Sequence, residues 1–79
     1  SADGGSLEKR GAAAMRAGRP ADAIPAFSEL AARNPRNGLN QTLLALAYQL
    51  VVLQFAKSLK ELLEKLHGIH AKLLDYLAR

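Results

Sequence analysis

The stretch "LLALAYQLVVLQFA", Leu43 to Ala56, decides how this chain of 79 residues folds. Gln49 and Gln54 are the only clearly polar side chains in it. Because apolar surface left in water is unfavourable, such a segment must be covered by a membrane, by the protein's own core or by another chain. The sequence on either side of the stretch distinguishes these three cases.

The flanking sequence predicts one long helix through this stretch. Between Thr42 and Leu74 there is no glycine, proline, asparagine or aspartate except Gly68, so no residue there stops a helix. We predict a helix over about residues 39–67, capped by Asn37 or Asn40 and about 42 Å long at 1.5 Å per residue. At Gly68 the helix either breaks before a short C-terminal helix or continues, and we favour the break.

The first half of the chain predicts a helical hairpin over residues 7–34. "LEKRGAAAMRAG" begins after Ser6, which is a good N-cap residue, and ends at Gly18, which favours a helix stop. Residues 1–6, "SADGGS", are polar and small, and we assign them to a disordered leader or tag remnant. Residues 7–79 then form a single all-α domain.

The second helix of the hairpin has two candidate starting points. With Asp22 as the N-cap, Pro25 falls at the third helical position, where the missing N–H of proline costs nothing. With a start at Pro20, Pro25 lies inside the helix and a hydrogen bond is lost. We therefore favour Asp22 as the N-cap.

Several residues of this hairpin follow the spacing of a known repeat, namely Leu7, Gly11, Ala14, Gly18, Ala23, Phe27, Leu30 and Pro35. Leu44, Ala45 and Tyr48 follow Arg10, Gly11 and Ala14 by one period of that repeat, which is about 34 residues. Over about residues 7–50 the sequence resembles a tetratricopeptide repeat (TPR), although Arg10 and Ala14 replace its usual leucine and aromatic residue. The resemblance implies a groove that holds a segment of a partner protein, with no catalysis.

After Lys57 the long helix carries apolar residues at heptad spacing. Val52, Leu59, Leu66 and Leu73 occupy one position, and Phe55, Leu62, Ile69 and Tyr76 occupy the other. Lys57, Glu61 and Lys65 mark the solvent face. The same pattern is typical of an ordinary helix packed on its own hairpin. As the interface with a partner we predict Leu46, Leu50, Val52, Leu53, Phe55, Leu59, Leu62, Leu66, Ile69 and Leu73.

The expected partner is a protein, with a homodimer or higher homo-oligomer favoured. The first half of the chain offers chiefly alanines, which are too small to cover the leucines of the second half. The predicted function is therefore a protein-interaction module that also associates with itself. The alternative is a structural or engineered oligomerisation element without a separate ligand, because arginine and alanine give way to lysine and leucine along the chain.

Composition argues against an enzyme and against a cofactor or metal site. There is no cysteine, which fits a reducing compartment and favours the cytoplasm without fixing the location. His67 and His70 stand one helical turn apart, but no third histidine completes a metal site. The net charge of +4 is scattered, which disfavours nucleic-acid binding because phosphate contacts need a continuous basic surface.

A membrane span is not expected from the length of the opening stretch. Its fourteen residues reach about 21 Å as a helix, whereas the hydrocarbon core of a bilayer is about 30 Å thick. Lys57, Lys60 and Glu61 follow directly and add charge instead of apolar length. The sequence thus predicts burial against protein.

Overall fold

The computed structural model describes residues 3–79 and contains three α-helices. They are α1 (Gly4–Arg16), α2 (Pro20–Arg33) and α3 (Gly38–Ala78). No strand occurs within residues 3–79. The prediction of an all-α chain with two short helices followed by a long one is confirmed.

Helix α1 begins earlier than the sequence predicts. The Asp3 side chain, not that of Ser6, caps the helix, and its Oδ1 accepts a hydrogen bond from the Ser6 N–H at 2.6 Å. Residues 4–6 of the expected leader are therefore helical, and residues 1 and 2 lie outside the described part of the chain. The helix ends where Gly18 adopts a φ of +75°, a conformation that glycine reaches without steric strain.

Two backbone hydrogen bonds close the C-terminus of α1. The Gly18 N–H donates to the Met15 carbonyl at 3.1 Å, and the Arg19 N–H donates to the Ala14 carbonyl at 2.9 Å. This pair of bonds forms a Schellman motif, which satisfies carbonyls that the end of a helix leaves without partners. The motif turns the chain directly into α2.

Helix α2 begins at Pro20, and the prediction of Asp22 as its N-cap was wrong. Proline suits the first helical position because its φ is already helical and its missing N–H is not needed there. The side chain of Pro20 is also buried, so packing favours its place in the helix. Asp22 instead lies in the first turn and forms an ion pair with Arg19 at 3.2 Å, and Pro25 lies inside the helix.

Helix α3 is longer than the prediction of residues 39–67. The Asn37 side chain caps it by accepting hydrogen bonds from the N–H groups of Leu39 and Asn40 at 2.9 and 3.4 Å. The helix continues through Gly68 to Ala78, a total of 41 residues, so the favoured break at Gly68 was wrong. One exposed glycine costs about 1 kcal/mol, and the strong helix formers around it outweigh that cost.

The core lies where α2 packs against both α1 and α3. Its buried apolar residues are Leu7, Ala14, Ala23, Ala26, Phe27, Leu30 and Ala47. Phe27 fills the space above Gly11, which has no side chain to exclude the ring. From α3 only Ala47 and Asn40 are buried, and the Asn40 Nδ2 donates to the Leu30 carbonyl at 3.4 Å. The core therefore holds only the N-terminal part of α3.

Candidate functional surface on the long helix

Gln54 is the last residue of α3 that forms a hydrogen bond with the hairpin. Its Nε2 donates to the Gly18 carbonyl oxygen at 3.0 Å, across 36 positions of the sequence. Every residue from Val52 to Arg79 is exposed. The molecule measures 66 × 20 × 17 Å as a result, because more than half of α3 projects beyond the hairpin.

The projecting part of α3 has one apolar face, which we call the apolar stripe. Its members have between 46% and 71% of their surface exposed, and they are Val52, Phe55, Leu59, Leu62, Leu63, Leu66, Ile69, Leu73, Tyr76 and Leu77. At 100° per residue they cover roughly 140° of the circumference of the helix. A face of this width is typical of a helix that packs into a bundle or groove.

The structure brings seven of the ten predicted interface residues onto this stripe. They are Val52, Phe55, Leu59, Leu62, Leu66, Ile69 and Leu73. Leu46 and Leu53 are also exposed, but their positions along the helix place them on its opposite side. Leu50 is half-buried near the hairpin. The predicted residues therefore do not form a single surface.

Three residues outside the predicted interface complete the stripe. Leu63, Tyr76 and Leu77 are exposed on the same face. The sequence pattern places all three along the seam, with Tyr76 seven residues after Ile69 and Leu77 fourteen after Leu63, but the predicted interface leaves them out. Leu74 is also exposed and borders the stripe.

A separate feature lies between α1 and α3. It is a cleft of about 240 Å³ lined by Glu8, Ala12, Met15, Arg16, Phe27, Leu43 and Leu46. Glu8 and Arg16 are the charged residues of this lining, and the others are apolar. Within residues 3–79 there is no group of three side chains that could hold a metal ion. The lining of the cleft is thus an apolar surface that carries two charged side chains.

The prediction that no segment of the chain could span a membrane was wrong. Helix α3 is long and apolar enough to cross a bilayer, and 6% of its most apolar eighteen-residue window is buried. The prediction counted only Leu43 to Ala56, but twenty residues between Arg36 and Lys57 carry no charge. At 1.5 Å per residue they reach about 30 Å, the thickness of the hydrocarbon core. The core helix of a soluble protein meets the same criteria.

Neither the single-chain structure nor comparison with other proteins supports the predicted homodimer. Within residues 3–79 no element covers the apolar stripe. The spacing that resembles a TPR is a property of the sequence, and helix α3 departs from it by not turning near Val52. No protein-family model, curated protein or solved structure matches this chain.

Proposed function

We propose that this chain is a non-enzymatic protein-interaction module. In this proposal the hairpin of α1 and α2 anchors α3, and the apolar stripe binds a protein partner. The observation that carries the proposal is the exposure of all ten stripe residues along one face of a continuous helix. Recognition of this kind places the apolar face of a helix in a groove or against other helices of the partner.

The size of the stripe supports burial against another protein. A fully exposed large apolar side chain presents roughly 150–200 Å², so ten that are about half exposed present on the order of 1,000 Å². The largest apolar patch on a typical monomer is about 300–600 Å², and a standard interface buries about 800 Å² on each partner. The stripe alone is therefore large enough for a stable complex.

The hairpin supports the TPR-like part of the proposal. Helix α1 begins at Gly4 and α3 begins at Gly38, and this offset matches the TPR period of about 34 residues. The close approach of Phe27 to Gly11 joins two of the positions on which the resemblance rests. In this proposal α3 replaces the second hairpin of a repeat array with one uninterrupted helix.

Site-specific photocrosslinking in cells that express the full chain tests the proposal. A benzophenone amino acid replaces Leu62 on the stripe in one variant and Glu61 on the opposite face in the control. The two positions are adjacent in the chain and both exposed, so they sample the same region of α3. We expect protein adducts at position 62 and few at position 61. Equal adducts at both positions, or none at position 62, would contradict the proposal.

Insertion into a membrane is the second candidate function, and the length of uncharged sequence in α3 favours it. In that case the segment between Arg36 and Lys57 would leave the hairpin and span the bilayer. A lysine at the centre of a membrane helix costs about 2.5–3.5 kcal/mol. The exposed residue Gln49 lies within this segment, so Gln49→Lys changes insertion without removing a core contact.

Flotation with neutral phosphatidylcholine vesicles tests this second candidate. If α3 spans the bilayer, the full chain floats and Gln49→Lys lowers the floated fraction more than tenfold. Ser58→Lys, which lies outside the uncharged segment, serves as the control and should float like the unmodified chain. Failure of the unmodified chain to float, or equal flotation of both variants, counts against insertion.

A further inference from the structure

The charged residues beside the apolar stripe are all basic. In the heptad that places Val52 at position a and Phe55 at position d, the flanking positions are e and g. The residues at these positions are Ala56, Leu63, His70 and Leu77 at e, and Ser58, Lys65 and Lys72 at g. Of these, Leu63 and Leu77 belong to the stripe itself. From Val52 to Leu77 neither position holds an acidic residue.

The carboxylates of the same segment lie farther from the seam than Lys65 and Lys72, although Glu61 stands one helical turn before Lys65. Glu61 and Asp75 occupy position c and Glu64 occupies position f, which face away from an a/d seam. Asp75 forms an ion pair with Arg79 at 2.8 Å. Within residues 3–79, neither Lys65 nor Lys72 has an ion pair within 4.0 Å. Both ammonium groups are therefore available to a partner.

This arrangement disfavours a second copy of the chain as the partner. In a parallel pair of α3 helices, Lys65 of one copy would face His70 of the other, and Lys72 would face Leu77. In an antiparallel pair, the g positions of the two copies face each other, which brings lysines together. Neither orientation pairs opposite charges across the seam.

The periodicity of the stripe disfavours a flat lipid surface. Its a and d residues repeat every seven positions, and in a straight α-helix such a seam drifts by about 20° per heptad. Over the three heptads from Val52 to Leu73 the seam turns by about 60°. A partner helix can follow this turn by supercoiling, whereas a flat bilayer favours a stripe that runs parallel to the axis.

We propose that the partner of α3 is an amphipathic protein helix, or a groove between helices, with acidic side chains beside its apolar seam. This inference rests on the proposed function, in which the stripe binds protein. Leucine-sized residues of the partner contact the a and d positions. Its glutamates or aspartates pair with Lys65 and Lys72, so that charge selects an acidic partner over a second copy.

The test uses two synthetic helices, each about four heptads long, as probes. Both have leucine at positions a and d, but one has glutamate and the other lysine at all e and g positions. Fluorescence anisotropy measures the binding of each labelled peptide to the full chain at 100 mM NaCl. We expect the glutamate peptide to bind at least tenfold more tightly than the lysine peptide, and its affinity to fall when NaCl rises to 500 mM.

Variants in which lysines are replaced by glutamate test whether Lys65 and Lys72 cause the preference. We expect the double substitution Lys65→Glu and Lys72→Glu to invert the preference between the two peptides. Lys57→Glu, at position f on the opposite face, should leave the preference unchanged. All three lysines are exposed and lie beyond Gln54, so these substitutions leave the hairpin core intact, and circular dichroism checks the helical content of each variant.

Three results would overturn the inference. Equal affinity for the two peptides would show that charge does not select the partner, while the proposed function would stand if photocrosslinking at position 62 succeeds. If the chain binds neither peptide and sediments as a dimer, a second copy of the chain occupies the stripe. If the chain binds neither peptide and floats with phosphatidylserine vesicles, an anionic lipid surface occupies the stripe.

Discussion

Gly11 and Phe27 form the closest contact between α1 and α2. A Cβ atom added to Gly11 would lie 2.6 Å from Cζ and 2.7 Å from Cδ1 of the Phe27 ring, and nearer still to Cε1. Phe27 is 1% exposed, so the added methyl group fits only if the ring shifts toward the cleft that it lines. We therefore expect Gly11→Ala to lower the free energy of unfolding by about 1–2 kcal/mol in urea titrations, because the overpacking outweighs the helix preference of alanine.

A second substitution at Phe27 checks that the ring is the cause. In the double variant Gly11→Ala with Phe27→Leu, the smaller side chain leaves room for the new methyl group. The loss of stability should therefore be smaller than the sum of the two single losses. Additive losses would mean that the destabilisation by Gly11→Ala has another origin.

The same substitution at Gly68 should have the opposite effect. A Cβ atom added there meets nothing within 4 Å, and Gly68 lies inside α3. Only the intrinsic preference for alanine remains, which is worth about 1 kcal/mol in an exposed helix. We expect Gly68→Ala to raise the helical content measured by circular dichroism, and a loss of helix would show that α3 does break at this residue.

Helix α3 consists of two parts that differ in their tertiary contacts. Residues up to Gln54 contact the hairpin, whereas residues 55–78 form helix without tertiary support. A helix without tertiary contacts is only marginally stable in water. In hydrogen exchange followed by mass spectrometry, we expect amides of residues 41–54 to be protected at least tenfold more than those of residues 57–78. Uniform protection along α3 would require that the exposed half is covered in solution.

The sequence predicted the helices better than their ends. The lack of helix-breaking residues between Thr42 and Leu74 was enough to predict α3, because propensity adds up over a long segment. At Gly68 and at the start of α2, two local signals competed. The helix formers around Gly68 outweighed the glycine, whereas tertiary packing decided the start of α2. Burial of Pro20, which no local pattern reveals, favoured the earlier start of α2.

Not all ten residues of the predicted interface lie on one face of α3. Seven of the ten residues stand at heptad spacing and lie on one exposed face. Leu46, Leu50 and Leu53 come from the part of α3 that also meets the hairpin, and the sequence does not show which side the hairpin covers. The small residue Ala47 and the polar residue Asn40 mark that side, and neither stands out among the surrounding leucines.

The whole molecule is much longer than a compact domain of the same size. Its radius of gyration is 19.7 Å, whereas a compact domain of this length has a radius of about 12 Å. We expect small-angle X-ray scattering, extrapolated to zero concentration, to give a value near 19.7 Å for the monomer. A radius close to that of the compact domain would mean that α3 folds back on the hairpin in solution.

Helix α3 continues without a break past Gln54, so the hairpin and the distal half of the helix have one fixed rotational relation. Each residue inserted after Lys57 would advance the distal half by about 1.5 Å and rotate it by about 100°. One added alanine would turn the part of the apolar stripe from Leu59 onward by more than a quarter turn relative to the hairpin. Seven added residues would nearly restore the orientation of that part and move it about 10 Å outward. If the proposed function holds, the number of residues between Gln54 and Leu59, and not only their identity, thus sets the orientation of the hairpin relative to a bound partner.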